Sequence, residues 1–512
     1  MKKISTLLSA LCLMAAVPQS VSAQGDFTLV NEAPSNPDNI PAPVFPVPTD
    51  RQLKWNETEF YAFFHYGMNT YTGNEWGNGT ESESTFNPTQ APDPKQWLQV
   101  AQSAGMKGGI AVVKHHDGFC LWPTATSEHS VKNSGTTYGA TTNIPRDFAK
   151  AAHELGMKYG FYISPWDMSS QYWGEKDENG NYTDNYAKKV FLPQCVEITK
   201  YGDDQFEMWF DGATGASHEG KYGRPSGTEL RSIDTASKYY DIPNLRDSIH
   251  NLLPNVVMWG NGGEARWIGN EDGWAGETCW SMGWDTSGDE NDWQWNPGES
   301  DAMATTNGWF WNTKSTAKSA DTLFKMYLET VGRNSTLILN MPPNQAGRIQ
   351  DDVVTEMAKL GQYLKDRLSN DYARNATVTA SATRAAGANR NYDAKNLIDG
   401  DKDTYWATDD GVKSAVITFD LGEVKPLRYV ALQEYIKLGQ RVKKFKIETS
   451  TDGSDWGTRA TQIAQTTIGY KRIIPLHGST TNSYGSGVNS RYVRITIEDS
   501  RACPLLHTIS IY

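Results

Sequence analysis

Three times along this chain a helical pattern closes on a glycine and is followed by an apolar, strand-like run: "PKQWLQVAQSAGMKGGIAVVKHHDGF", "PRDFAKAAHELGMKYGFYISPWD" and "CVEITKYGDDQFEMWFDGA". In the second, Phe148, Ala151, Ala152 and Leu155 hold the i, i+3, i+4, i+7 face of a helix, with Pro145 suited to its start and Gly156 to its C-terminal cap. The runs that follow are rich in Val, Ile, Phe and Tyr and barely alternate, as strands do in a parallel sheet covered on both faces. "NLRDSIHNLLPNVVMWGN" and "TLFKMYLETVGRNSTLILNMPPN" extend the series, "YAFFHYG" supplies an earlier strand and "GWFWN" a late one. The repeating unit predicts an α/β fold, a (β/α)8-type barrel over residues 51–368. The number of strands between 263 and 305 stays open.

After a last helical segment, "DDVVTEMAKLGQYLKDRL", the composition shifts near Ser369 to Thr, Ser, Asn, Ala and Gly. Short runs such as "AVITFDLG", "RYVALQEY", "KKFKIETSTDG", "KRIIPL" and "SRYVRITIE", separated by turn residues, predict an all-β sandwich over 369–512. At the other end, Lys2 and Lys3 precede an apolar stretch and the small residues Val21-Ser22-Ala23, which reads as a secretory signal peptide over 1–23. Residues 24–50 form a Pro-rich leader, with six prolines between 34 and 48. No later run is apolar for long enough to span a bilayer, so a periplasmic or secreted location is expected. A net charge of −12 argues against nucleic acid or an anionic membrane surface as partners. Beyond the signal segment, Cys120, Cys195, Cys279 and Cys503 lie far apart with no CxxC pair, so buried free thiols are expected.

Polar residues stand where a barrel does chemistry, at the C-terminal ends of its strands: His65 after "YAFF", His115 and His116 after "IAVVK", Trp166-Asp167 after "FYISP", Asp211 after "MWF" and Asn261 after "VVMWG". The chain has 18 Trp and 24 Tyr, and Trp76, Trp122, Trp166, Trp274, Trp280 and Trp293 fall in loops. Aromatic platforms beside charged and amide groups suit sugar rings, which carry apolar C–H faces edged by hydroxyls. His115-His116 invites a metal reading, but neighbours on an extended strand point to opposite sides, so binding of a substrate hydroxyl is favoured. Glycosidic cleavage needs two carboxyl groups, and Asp211 at a rigid strand end suits the nucleophile or base. For the acid, Glu264, Glu271, Asp272 and Glu277 cluster in "GNGGEARWIGNEDGWAGETCW", and spacing does not choose among them.

"FFHYGMNTYTGNEWGNGTE", "KHHDGFCLWPT", "EMWFDGA" and "RWIGNEDGWAGET", in this order across the proposed barrel, resemble family 29 glycoside hydrolases, the α-L-fucosidases. The resemblance implies a retaining, exo-acting mechanism with Asp211 as nucleophile and, from the Trp-x-Gly-Asn-Glu motif, Glu271 as acid/base. It further implies sugar contacts from His65, Glu75, Trp76, His115, His116, Trp209 and Tyr162, with Arg266 as a further contact. The "GNE" branch resembles enzymes that prefer α-1,3 and α-1,4 fucose on Lewis-type glycans, so fucosylated oligosaccharides or glycoconjugates are the expected partners. The stretch 212–240 is longer than the family pattern. No cofactor for catalysis is implied. The alternatives are a catalytically weak carbohydrate-binding protein, a glycosidase of different linkage preference, and a metal-dependent hydrolase built on the histidines. "NLIDGDKDTYWAT", "ITFDLG", "LQEY" and "FKIETSTDGSDW" resemble discoidin-like, or factor 5/8 type C, carbohydrate-binding modules. There Asp399, Asp401, Asp403 and Thr404 offer oxygen ligands for a structural calcium ion, or else line a surface turn.

Overall fold

Eight parallel strands run side by side in the computed structural model, which describes residues 36–213, 220–223, 233–456, 458–459, 465–477 and 486–512. The expected signal peptide, the leader up to residue 35 and much of the 212–240 stretch lie outside the described residues. The strands are β1 (Phe60–Phe64), β2 (Gly108–Lys114), β3 (Lys158–Ile163), β4 (Glu207–Phe210), β5 (Val257–Gly260), β6 (Arg266–Trp267), β7 (Gly298–Met303) and β8 (Ser335–Asn340). Their order is β5-β4-β3-β2-β1-β8-β7-β6, and a bridge between Trp259 and Ala265 draws the two edges together into a barrel.

The strands look unpatterned because both faces are buried, yet they do alternate. Tyr61, Phe63, Ile110, Val112, Tyr162, Trp209, Val257, Trp259 and Ile338 fill the interior, while Phe60, Ala62, Phe64, Ala111, Val113, Phe161, Met208 and Phe210 meet the surrounding helices. Helices Pro94–Ser103, Ile144–Leu155, Leu192–Thr199, Ile242–Leu252, Ala320–Thr330 and Asp351–Leu368 form that outer layer. The helix Ile144–Leu155 begins where the Asn143 side chain accepts from Arg146 N and ends on Gly156 at φ 64°, a left-handed cap that suits glycine. It buries Phe148, Ala151 and Ala152.

One expected strand is corrected: "GWFWN" is an irregular loop, and the seventh strand is the acid-bearing "GESDAM". Its Glu299 and Asp301 face inward, where Tyr61, Trp209 and Trp267 donate to them.

The C-terminal part is a sandwich of antiparallel sheets. Its strands are β9 (Thr377–Ala380), β10 (Trp406–Ala407), β11 (Ala415–Leu427), β12 (Tyr429–Glu434), β13 (Val442–Ser450), β14 (Thr458–Arg459), β15 (Arg472–Pro475), β16 (Val488–Ser500) and β17 (Leu505–Ile511). They are ordered β10-β17-β12-β15 and β14-β13-β16-β11-β9. The Pro-rich leader docks on this sandwich, with Val44 N donating to Leu438 O and Arg441 Nη2 to Ala42 O. The sandwich meets the barrel through apolar residues, among them Tyr429, Ala431 and Ile473, and through polar groups. Cys279 N donates to Thr467 Oγ1, Ser281 N to Gln440 Oε1 and Tyr470 N to Asn334 Oδ1, while Lys471 pairs with Glu59.

Candidate active site

At the C-terminal mouth of the barrel a cavity of about 640 Å³ is lined by Phe63, His65, Glu75, Trp76, His115, His116, Trp209, Asp211, Trp259, Asn261, Arg266, Trp267, Glu271, Trp284, Asp301 and Trp309, among others. Asp211 directly follows β4 and keeps 24% of its side chain exposed to this space. Its two oxygens are fixed from different sides: Ala213 N donates to Oδ1 at 2.7 Å and Tyr162 OH to Oδ2 at 2.9 Å. Asn261 Nδ2 holds the Asp211 carbonyl at 3.1 Å, and His116 Nε2 stands 3.6 Å from Oδ2. Burial raises the Asp211 pKa, and the donors from Ala213 and Tyr162 pull against that rise.

Glu271 lies on the loop after β6 and is exposed at the rim, where Trp309 Nε1 donates to its Oε2 at 3.1 Å. Its pKa is raised, first by partial burial and then by the negative charges of Asp211 and Asp272. The other acids of that stretch are placed elsewhere. Glu264 is buried behind β5, accepting from Met258 N and His250, and neither Asp272 nor Glu277 lines the cavity.

Three histidines form one wall, and burial disfavours the charged form of two of them, His65 and His115. His65 Nδ1 pairs with Asn340 Oδ1 at 2.9 Å, and burial drives its pKa down to about 3. Burial likewise pushes His115 well below its ordinary value. His116 Nδ1 pairs with Ser164 Oγ at 2.7 Å, and its ring meets Trp76 edge-on at 5.6 Å. Beneath them the buried Lys114 pairs with Asp167 at 3.2 Å. Among the described residues no group of three or more His, Cys, Asp or Glu side chains converges as a metal site. In the C-terminal loop both Asp399 oxygens already accept, from Asp401 N and from Thr404 Oγ1.

Two of the expected sugar contacts are engaged by protein groups. Tyr162 is fully buried and does not line the cavity; it acts on Asp211 through its hydroxyl. Arg266 reaches the wall, but its guanidinium is engaged with Asp285 O, Asn296 O and Cys279 Sγ, and so braces the segment that follows Glu271. His65, Glu75, Trp76, His115, His116 and Trp209 all line the cavity. Of the loop tryptophans, Trp76 alone does; Trp122, Trp166 and Trp280 are buried, and Trp274 and Trp293 are exposed away from it. Sequence reasoning missed Trp259, Trp267, Trp284, Asp301 and Trp309 as wall residues. Trp309 sits in the aromatic run "GWFWN", whose polar flanks were the signal for a loop.

A family model described as alpha-L-fucosidase matches residues 47–367, and one described as F5/8 type C domain matches 377–507. Alpha-L-fucosidase 1 of Arabidopsis thaliana is 31% identical over 92% of this chain and 88% of its own length. A putative alpha-L-fucosidase from Bacteroides thetaiotaomicron superposes with a TM-score of 0.79 at 31% identity, covering 92% of this chain and 99% of that one. A Ruminococcus gnavus family 29 fucosidase, solved in complex with fucose, gives 0.78 at 32% identity, covering 93% and 97%. The chain thus belongs to the family 29 glycoside hydrolases, the α-L-fucosidases, and carries an F5/8 type C domain after its barrel.

Proposed function

We propose that this α-L-fucosidase works by double displacement, with Asp211 as nucleophile and Glu271 as acid/base. An Asp211 oxygen bonds to the anomeric carbon of a terminal fucose as the glycosidic C–O bond breaks, and Glu271 gives its proton to the departing oxygen. Water then attacks the same carbon, Glu271 takes its proton, and Asp211 is released. The observation that carries this reading is the sharing of one cavity by these two carboxyls, one anchored by two donors at a strand end and the other exposed on a rim loop. A separation of about 5–5.5 Å between reacting carboxyls is what retention requires.

Preference for α-1,3- and α-1,4-linked fucose on Lewis-type glycans is part of the proposal. Support comes from the "GNE" motif and from a wall that continues past the histidines to Asn261, Trp267 and Trp284, which leaves room for a branched leaving group. The N-terminal segment supports action in the periplasm or outside the cell. Calcium at Asp399, Asp401 and Thr404 is a separate proposal that rests on their clustered oxygens, and a melting temperature unchanged by chelator would dismiss it.

Fucose release measured across α-1,2-, α-1,3-, α-1,4- and α-1,6-linked oligosaccharides tests linkage. Asp211→Ala should abolish turnover, a 2-fluoro fucoside should trap a covalent adduct on Asp211, and azide should partly rescue Glu271→Ala on an activated substrate. A chain that binds these glycans yet releases no fucose would overturn the proposal.

A further inference from the structure

Inside the barrel, below the cavity, lie two acids that the mechanism above does not use. Glu207 on β4 shares an inward face with Trp209, and Glu299 lies on β7; both are fully buried, and they are close enough for the charge of one to disfavour the charge of the other. Trp55 Nε1 donates to Glu207 Oε2 at 2.9 Å, Trp209 Nε1 donates to Glu299 Oε1 at 2.7 Å, and Tyr61 OH donates to Glu299 Oε2. Glu207 Oε1 receives no donor from the protein. Neither acid has a lysine, arginine or histidine as partner among the described residues. Two adjacent carboxylates with no cation in an apolar interior repel each other and leave one oxygen orphaned. A single proton between them removes one charge and supplies the missing hydrogen bond.

We propose that Glu207 and Glu299 hold one proton between them, and that this acid–carboxylate pair is a positioning device for the floor of the sugar pocket. Trp209 is the link. Its N–H is held by Glu299, its ring stacks on Trp259 at 3.8 Å and 7° and on Tyr162 at 5.0 Å and 25°, and Tyr162 donates to Asp211. The pair therefore fixes the indole slab against which the Asp211 donor rests. Burial and like charge favour keeping the proton, while the donors Trp55, Trp209 and Tyr61 favour the charged form without outweighing them. Tyr61 on β1 is held above its ordinary pKa by burial and by both acids, and Asp301 on β7 is raised by burial and by the charges of Glu271 and Glu299. Trp55, Trp209 and Thr336 are neutral.

The inference rests on Asp211 as nucleophile, and its test is separable from that reading. The measurement is the pH profile of kcat/KM on 2,4-dinitrophenyl α-L-fucoside, whose departure needs no acid, so that Glu271 does not set the alkaline limb. In the wild type, alkali removes the shared proton and kcat/KM falls. Glu207→Gln replaces that proton with an amide N–H at the oxygen that lacks a donor, so it should stay within about threefold of wild type on the acidic plateau and lose the alkaline fall. Glu299→Leu strips the Trp209 and Tyr61 donors of their acceptor and should lose at least about tenfold. The inference is overturned if Glu207→Gln keeps the wild-type alkaline limb, loses more than about tenfold on the plateau, or fails to fold. A wild-type enzyme inert towards the fucoside would instead strike at the proposed mechanism.

Discussion

Asp211 shows how a carboxylate is kept usable at the end of an apolar strand. Burial alone favours its neutral form, and the O–H of Tyr162 and the N–H of Ala213 favour the charged form that attacks. Tyr162→Phe removes one of those donors without changing the ring that stacks on Trp209. Asp211 should then hold its proton to higher pH, moving the acidic limb of kcat/KM up by about one pH unit and lowering the plateau about tenfold. On the rim, Trp309→Phe removes the donor to Glu271, which raises the Glu271 pKa and carries the alkaline limb on a natural glycan to higher pH. Because Glu271 is exposed, that move should be small, about half a pH unit. An unmoved limb in either profile would show that the hydrogen bond does not tune its acid. At this scale the strand-end polar residues were readable, because a barrel exposes its C-terminal ends. The role of Tyr162 was not, because Asp211 and the tyrosine are joined only when β3 lies beside β4.

Strands β4 and β8 were legible from their apolar runs, whereas β7 was not. "GESDAM" carries two acids that read as loop, and they become strand residues only because Tyr61, Trp209 and Trp267 approach from other elements to satisfy them. The reverse error fell on "GWFWN", whose aromatics look like a strand but face the pocket and His65 from a loop. Arg266 was expected as a further sugar contact from the family resemblance alone. Its guanidinium instead donates to two carbonyls in the segment between Cys279 and Asn296. Arg266→Met should take the guanidinium donor from both carbonyls, although Gly288 N still donates to Asp285 O, costing about 1–3 kcal/mol in stability. If the brace matters for Glu271, kcat should fall more on a glycan than on an activated aryl fucoside. Equal losses on both substrates would separate the brace from the acid.

For the whole molecule, the seam between barrel and sandwich decides whether the two parts melt together. Besides apolar packing of Tyr429, Ala431 and Ile473, its contacts include polar groups more than a hundred residues apart in sequence, such as Gln440 reaching Ser281 and Tyr470 reaching Asn334, so nothing in local pattern announced them. Among them is the ion pair of Lys471 with Glu59, which Lys107 joins at 3.0 Å. Burial would raise Glu59, but the two lysines outweigh it and hold the pKa below the ordinary glutamate value. A carboxyl depressed in the folded state adds stability above its unfolded pKa and loses it as pH falls through the folded one. Lys471→Met leaves Glu59 buried with Lys107 alone, and should cost about 3–5 kcal/mol at neutral pH. Once acid has protonated Glu59, the same substitution should cost much less, so the wild-type and variant melting curves should converge on acidification. Adding Glu59→Gln to Lys471→Met should recover much of the neutral-pH loss, because the uncompensated charge is gone. A loss that is the same at every pH would assign the seam's strength to packing of the lysine stem. A single cooperative transition for wild type that splits in two for Lys471→Met would identify this pair as the tie between the domains.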